Sequence, residues 1–284
     1  MSYITLKQLI KASKLPTEIA EKLVGDLFKI SREKLFLDGE KIRLSKNYLM
    51  KYKKIEEAIL AGTPLQYALG HTCFYDREFR VNKSVLIPRP ETELLVSLAC
   101  NFLRQQTSSH KPLTIIDIGT GSGCIIISLY KESEKFIIHN SLSIIRFYAT
   151  DISLAALKVA KQNAKLHNAN IKFLQSDLLD NPQLPKKFDL ILANLPYLTK
   201  DETKKLKDEP RKALYGGKDG FELIEKLIKK LPERLNGLAI IEIGYNHGKK
   251  VKKTAKECGL NAQVKKDLNG FDRYALITKK YHRA

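Results

Sequence analysis

Up to residue 63 the apolar positions recur at helical spacing in short blocks, each entered through a residue able to cap a helix. Thr5 is placed to cap a first helix, Thr17, behind Pro16, a second, and Ser31 a third. Ser45 opens a fourth, which carries Tyr48, Tyr52, Ile55 and Ile59 on its apolar side and runs to Ala61-Gly62. Gly62-Thr63-Pro64 breaks that texture. Residues 74–86 then alternate around Asp76-Arg77 in the manner of a hairpin, and from Pro90 onward helical stretches alternate with short apolar runs. The pattern predicts strands at 114–118, 146–150, 171–175, 190–194 and 238–243, and helices starting at Thr92, Ser122, Leu154 and Gly220. Apolar runs of this kind, separated by helices, imply a parallel sheet covered on both faces. At the C-terminus, 263–266 and 274–278 flank Asn269-Gly270, a hairpin signal that predicts an antiparallel pair at the sheet edge. The expected architecture is α/β: a Rossmann-like sheet with a C-terminal edge hairpin over 91–284, preceded by a helical domain over 1–63 and a hairpin linker over 64–90. No internal repeat or low-complexity tract interrupts it.

Composition narrows the class. With 284 residues the chain is long enough for a sizeable core, and 50 basic against 31 acidic residues give it a net charge of +19. The lysines are spread thinly, as in KYKKIEE and KKTAKE, without an arginine-rich block or interleaved aromatics. A solvated basic surface is therefore favoured over a nucleic-acid footprint, which stays as the alternative. No long apolar stretch is present and the N-terminus lacks the pattern of a signal peptide, so a cytoplasmic enzyme without membrane contact is expected. Cys73, Cys100, Cys124 and Cys258 form no CxxC pair and read as structural thiols.

Two motifs carry candidate chemistry. The first is Asp117-Ile118-Gly119-Thr120-Gly121-Ser122-Gly123, a glycine-rich turn from strand to helix that lets a ligand approach the backbone at a helix N-terminus. A dinucleotide fingerprint would need its last glycine one residue later, where this chain has Cys124. S-adenosylmethionine, whose amino-acid portion asks only for close backbone approach, fits the spacing better. Asp151, at the end of the second strand, is placed to accept the two ribose hydroxyls, with helix capping as its alternative. Its distance from Gly123 exceeds the usual interval of about 20 residues, so an insertion is expected within 131–140. Asp177, closing the third strand, is a candidate acceptor for the adenine amino group, with Leu178 packing on the ring.

The second motif is Asn194-Leu195-Pro196-Tyr197, at the end of the fourth strand. The Asn194 side-chain oxygen and the Leu195 carbonyl can each accept one N–H of a flat, weakly nucleophilic NH2 group. Pro196 biases Leu195 toward extended backbone, and Tyr197 offers an apolar face. Such a loop suits methyl transfer to an amide or amino nitrogen, by geometry rather than by a base, and the proton can leave after transfer. No His/Cys/Asp cluster has metal-ligand spacing, so no metal is expected. His247 reads as a loop residue, and the role of Glu242, at the end of a buried strand, stays open. Arg89 and Glu91 are expected near the cofactor entrance or in a structural ion pair.

With these residues assembled, the sequence resembles the HemK/PrmC family of peptide-chain release factor glutamine methyltransferases over nearly its whole length. The most specific part is Leu86-Ile87-Pro88-Arg89-Pro90-Glu91-Thr92-Glu93, preceded by Gly70, Phe74 and Phe79. Glu209-Pro210, Ala213-Leu214 and Gly216-Gly217-x-Asp219-Gly220 follow the family's pattern, as do Glu242-Ile243-Gly244 and Lys266-Asp267-Leu268-x-Gly270-x-Asp272-Arg273. The resemblance implies a class I methyltransferase fold. It also implies methyl transfer from S-adenosyl-L-methionine to the glutamine amide nitrogen of the Gly-Gly-Gln loop of release factors, docked through the helical domain by a monomeric enzyme with no obligate nucleic acid. One position departs: the family has Asn-Pro-Pro-Tyr where this chain has Leu195, a form similar to the loop of adenine dimethyltransferases. N6-adenine methylation of RNA or DNA is the runner-up, and a non-catalytic ribosome-binding module the third reading.

Overall fold

In the computed structural model, which describes residues 4–106, 111–137 and 145–280, the chain forms two compact units, Met1–Thr72 and Cys73–Ala284. The first contains α1 (Leu6–Ala12), α2 (Thr17–Phe28), α3 (Arg32–Asp38), α4 (Lys46–Leu60) and α5 (Leu65–Leu69). Thr5 and Gln8 cap α1 reciprocally, and the Ser31 hydroxyl caps α3 by accepting from Lys34 N. Thr17 is not a cap: Pro16 holds that position and Thr17 is the first helical residue. Ser45 stands at the cap of α4 without a side-chain bond. Leu6, Leu23, Val24 and Tyr52 are fully buried in the core of this unit, whereas Tyr48 is exposed. The helix α5, framed by Pro64 and a left-handed Gly70, is too short to display a period.

The unit boundary falls inside β1 (His71–Phe74), which pairs with β2 (Arg77–Arg80). Tyr75 and Asp76 make the turn with φ of 50° and 57°, one residue before the expected place. The strands stop at Arg80, so the hairpin is shorter than the alternation over 74–86 suggested. Phe74 and Phe79 are buried, and the Asn163 side chain bonds both the N–H and the carbonyl of Arg80, at 2.8 and 3.0 Å.

From there α6 (Thr92–Gln106), β3 (Leu113–Ile118), α7 (Cys124–Ile137), β4 (Ile145–Asp151), α8 (Leu154–Leu166), β5 (Lys172–Gln175), β6 (Phe188–Asn194), α9 (Lys200–Thr203), α10 (Glu222–Arg234), β7 (Leu235–Glu242), α11 (Gly248–Glu257), β8 (Leu260–Lys266) and β9 (Asp272–Lys279) follow. The sheet order is β5-β4-β3-β6-β7-β9-β8. Its first five strands are parallel and β9 is antiparallel to both neighbours. Successive residues of a strand enter opposite layers. Ile116, Ile191 and Ile241 pack with α10 and α11, while Ile115, Leu192 and Ile240 pack with α6 and α7. Helices expected from Ser122 and Gly220 begin two residues later, after glycines with positive φ. In the segment where an insertion was expected, residues 131–137 continue α7, and 138–140 lie outside the described residues. Among the described residues no helix is long and apolar enough to cross a membrane.

Candidate active site

Strands β4 and β5 step away from β3 on one side, and β6 and β7 are added on the other. Loops leaving the C-terminal ends of β3 and β6 therefore diverge and open a crevice at the point where the order reverses. The two motifs lie there side by side. Gly119, Gly121 and Gly123 all have positive φ, which side chains disfavour. A Cβ on Gly121 would meet nothing within 4 Å, whereas one on Gly123 would lie 2.8 Å from Ile127 and 3.3 Å from Ala160. The first glycine thus leaves room at the loop, and the second lets α7 close on α8. Thr120 and Ser122 are buried, Thr120 donating to Asp117 Oδ2 at 2.6 Å.

Asp151 joins this loop directly. Its Oδ2 accepts from Gly121 N at 2.9 Å and its Oδ1 from Ser153 N at 2.8 Å. Ser153, not Asp151, caps α8. Burial pushes the Asp151 carboxyl above its usual range, against three backbone donors that hold it down. Asp177 follows β5 with an exposed side chain. Leu178, at φ 49°, turns its side chain into the core, and its carbonyl accepts from Thr150 Oγ1 at 3.3 Å. An exposed apolar side chain beside Asp151 is Ile152, 61% accessible, to which the sequence reading gave no role.

Asp117, which opens the glycine motif, was given no role of its own by the sequence. It is wholly buried, and its Oδ1 has no hydrogen-bond partner. Burial, reinforced by the Asp151 charge and opposed by the Thr120 hydroxyl, raises its pKa from 3.8 to about 7. One carboxyl oxygen of Asp117 is thus left unpartnered beside the glycine loop.

The Asn194 loop is braced from behind. Leu198 N donates to Leu214 O and Gly216 N to Leu198 O, both at 2.9 Å. A Cβ on Gly216 would overlap the Pro196 carbonyl and lie 2.7 Å from Tyr197 Cα. His247, 1% exposed, stands at the start of α11 against the Phe221 ring, with Nε2 3.2 Å from the Asp219 carbonyl, so it supports this segment. Leu195 is 4% exposed, and its Cδ2 lies 3.0 Å from where a Cβ on Gly119 would be. Its side chain therefore seals the Asn194 loop to the glycine loop, a contact beyond the backbone carbonyl role expected from the sequence.

Facing the crevice, Asn194 Nδ2 donates to Thr92 Oγ1 at 3.0 Å, and Thr92 donates to Glu242 Oε2 at 2.7 Å. Tyr197 donates to Glu242 Oε1 at 3.2 Å, and an Arg273 amine approaches the same hydroxyl at 3.5 Å. Arg273 is held by Asp267 at 3.1 Å. Arg89 pairs with Glu209, whose other oxygen accepts from Ile87 N at 3.3 Å. Glu91 is exposed, and its backbone carbonyl accepts from Tyr274 Oη at 2.5 Å. These contacts pin the segment before α6 to the sheet and to the chain that follows the Asn194 loop.

Residues 109–275 match a family described as a methyltransferase domain. The release factor glutamine methyltransferase of Bacillus subtilis is 37% identical over 248 residues, 83% of each chain. That of Thermodesulfovibrio yellowstonii is 33% identical over 283 residues, 96% of each. Among solved structures, the N-terminal domain of human METTL16 in complex with SAH shares the fold at a TM-score of 0.52 and 16% identity, over 94% of this chain and 95% of that one. With such relatives aligned over most of its length, the chain belongs to the release factor glutamine methyltransferase family.

Proposed function

We propose that this protein methylates the side-chain amide nitrogen (N5) of the glutamine in the Gly-Gly-Gln motif of peptide-chain release factors, with S-adenosyl-L-methionine as methyl donor. The observation that carries this reading is the adjacency of the Asn194 loop and the glycine loop across β3 and β6, sealed by Leu195 against Gly119. The donor, when bound, supplies an electrophilic methyl group on a sulfonium. The residues present fit it. Asp117 Oδ1 would meet its ammonium, the loop 119–123 its amino-acid backbone, Asp151 its ribose, Ile152 its base in place of the core-facing Leu178, and Asp177 the exocyclic amine.

The protein's task is orientation. An amide nitrogen shares its lone pair with the carbonyl and attacks poorly. Asn194 Oδ1 and the Leu195 carbonyl would accept its two N–H groups and turn one face of the nitrogen toward the methyl. Both acceptors gain strength as positive charge develops on nitrogen, so they favour the transition state. Tyr197, its hydroxyl tied to Glu242, holds its ring fixed over the site.

This reading predicts a pH dependence of donor binding. Asp117 keeps its proton up to about pH 7 in the free enzyme, and an ammonium beside it favours the ionised form. Affinity should therefore rise as pH increases from about 5.5 to 7 while the donor's own amine, with a pKa near 8, stays charged. In calorimetry Asp117→Asn should bind weakly and without that slope. Pairing of Asp117 with the donor is disproved by a flat wild-type profile.

Leu195 separates side chain from backbone. Leu195→Ala should cost roughly 2–5 kcal/mol of stability by opening a cavity between the loops, read from denaturant unfolding. Leu195→Pro keeps the carbonyl and should hold kcat within about tenfold if the backbone accepts the ring. Loss of all activity in a folded Leu195→Pro protein would show that the leucine side chain positions substrate.

The substrate class is tested by supplying labelled donor with a release factor or with RNA. Label should enter the release factor at physiological ionic strength, while RNA binds weakly and releases steeply with salt. Incorporation into adenine alone moves the assignment to nucleic acid.

A further inference from the structure

Asn194 can serve the proposed reaction only if its amide faces the right way, oxygen toward substrate, and a side-chain amide flips without changing shape. The structure contains a device that removes this freedom. Glu242 accepts through both oxygens, from Thr92 at Oε2 (2.7 Å) and from Tyr197 at Oε1 (3.2 Å). A threonine hydroxyl has one proton. An ionised carboxylate has none to give, so the Thr92 proton points at Glu242 and the lone pairs of Oγ1 point away from it. The group 3.0 Å away on that side is Asn194 Nδ2, a donor. With its NH2 engaged there, the Asn194 oxygen is the end left for substrate.

We infer that Glu242 and Thr92 form an orienting relay, in which the carboxylate sets the direction of the Thr92 hydroxyl and the hydroxyl locks Asn194 with its oxygen presented to the substrate amide. The inference rests on the reading of Asn194 as the acceptor of a substrate N–H. Both are positioning residues, acting through Asn194. Stability alone does not account for the carboxylate: Glu242 is 1% exposed in the sheet, where an apolar side chain of similar size would avoid the desolvation of a charge. The same residue steadies the Tyr197 ring, so one buried charge fixes two members of the catalytic loop.

The relay makes the enzyme sensitive to the protonation of Glu242. The groups facing it are Thr92 on α6, Tyr197 in the catalytic loop, Arg273 and Tyr274 on β9, and Glu91 ahead of α6. The Tyr274 hydroxyl is committed to the Glu91 carbonyl. Burial, first, and then the Glu91 charge push the Glu242 carboxyl above its ordinary range, against Thr92, Arg273 and Tyr197. Once protonated, Glu242 can donate to Thr92 and reverse the chain. Turnover should thus rise with pH through a displaced carboxyl titration.

The test combines kinetics with a measurement that needs no substrate. On a release factor, Thr92→Val should lower kcat about tenfold or more with KM and donor affinity changed less than about threefold, and Thr92→Ser should restore it. Glu242→Gln should lower kcat at least as much and abolish the rising acid limb, and the double variant should be about as slow as Glu242→Gln, since Thr92 acts only with Glu242 while Glu242 also holds Tyr197. In 15N-labelled enzyme alone, the Asn194 NH2 resonances should titrate with Glu242 in the wild type and not in Glu242→Gln. Full kcat in folded Thr92→Val, failure of Thr92→Ser to restore it, or Asn194 resonances indifferent to Glu242→Gln overturns the relay. Should Thr92→Val not fold, the Glu242→Gln profile and resonances decide alone. A wild-type enzyme inert on release factors overturns the substrate assignment instead, and the resonance test still stands.

Discussion

Asn194→Ala should lower kcat by about 10²-fold or more, the loss that accompanies removal of one preorganised polar group from an active site. The effect belongs in kcat because the Asn194 oxygen meets a partly positive N–H more strongly than a neutral one, while donor binding rests on the other loop. The fold should tolerate the change: Asn194 is half-buried, and the Thr92 hydroxyl it releases keeps Glu242 as partner. Steady-state kinetics with donor and release factor varied separately would check this. Full kcat in the variant means that Asn194 does not orient the accepting nitrogen.

The second large effect is expected at Asp151. Asp151→Ala removes the proposed partner of the ribose hydroxyls and frees Gly121 N and Ser153 N, which its carboxylate now holds at 2.9 and 2.8 Å. Donor binding should weaken by roughly 1.5–3 kcal/mol, the range for charge-assisted hydrogen bonds, and more if the loop relaxes. Asp151→Asn keeps acceptor capacity at one atom and should lose less. Calorimetry giving wild-type affinity for a folded Asp151→Ala protein would remove Asp151 from the site.

The central strands were legible because their apolar pattern is dense. Strands β3, β6 and β7 are buried on both faces and read as apolar runs, and positive-φ glycines mark the first loop. Helix α11 escaped notice because GKKVKKTAKE buries little that is apolar beyond Val251 and Ala255, too thin a stripe for a period to emerge. α5 escaped because it is only five residues long. In the candidate site the motifs themselves were legible, since strand-to-helix and strand-to-loop chemistry is local. What joins them was not. Thr92 and Glu242 are 150 residues apart in sequence and meet through sheet order. Burial likewise distinguishes Asp117 from an ordinary carboxylate, and burial is a property of the assembled fold. Leu195 shows the same limit: spacing gives its backbone role, and only the approach of β3 to β6 reveals what its side chain touches.

In the proposed reaction the glutamine amide nitrogen of a release factor receives the methyl group. The most direct test is mass spectrometry of the Gly-Gly-Gln peptide from a release factor incubated with the enzyme and S-adenosyl-L-methionine. One methyl group should be added to the glutamine side chain, and it should be absent when Asn194→Ala replaces the wild type over the same interval. A methyl group on another residue, or an unmodified peptide beside active enzyme that labels RNA, would contradict the proposed reaction.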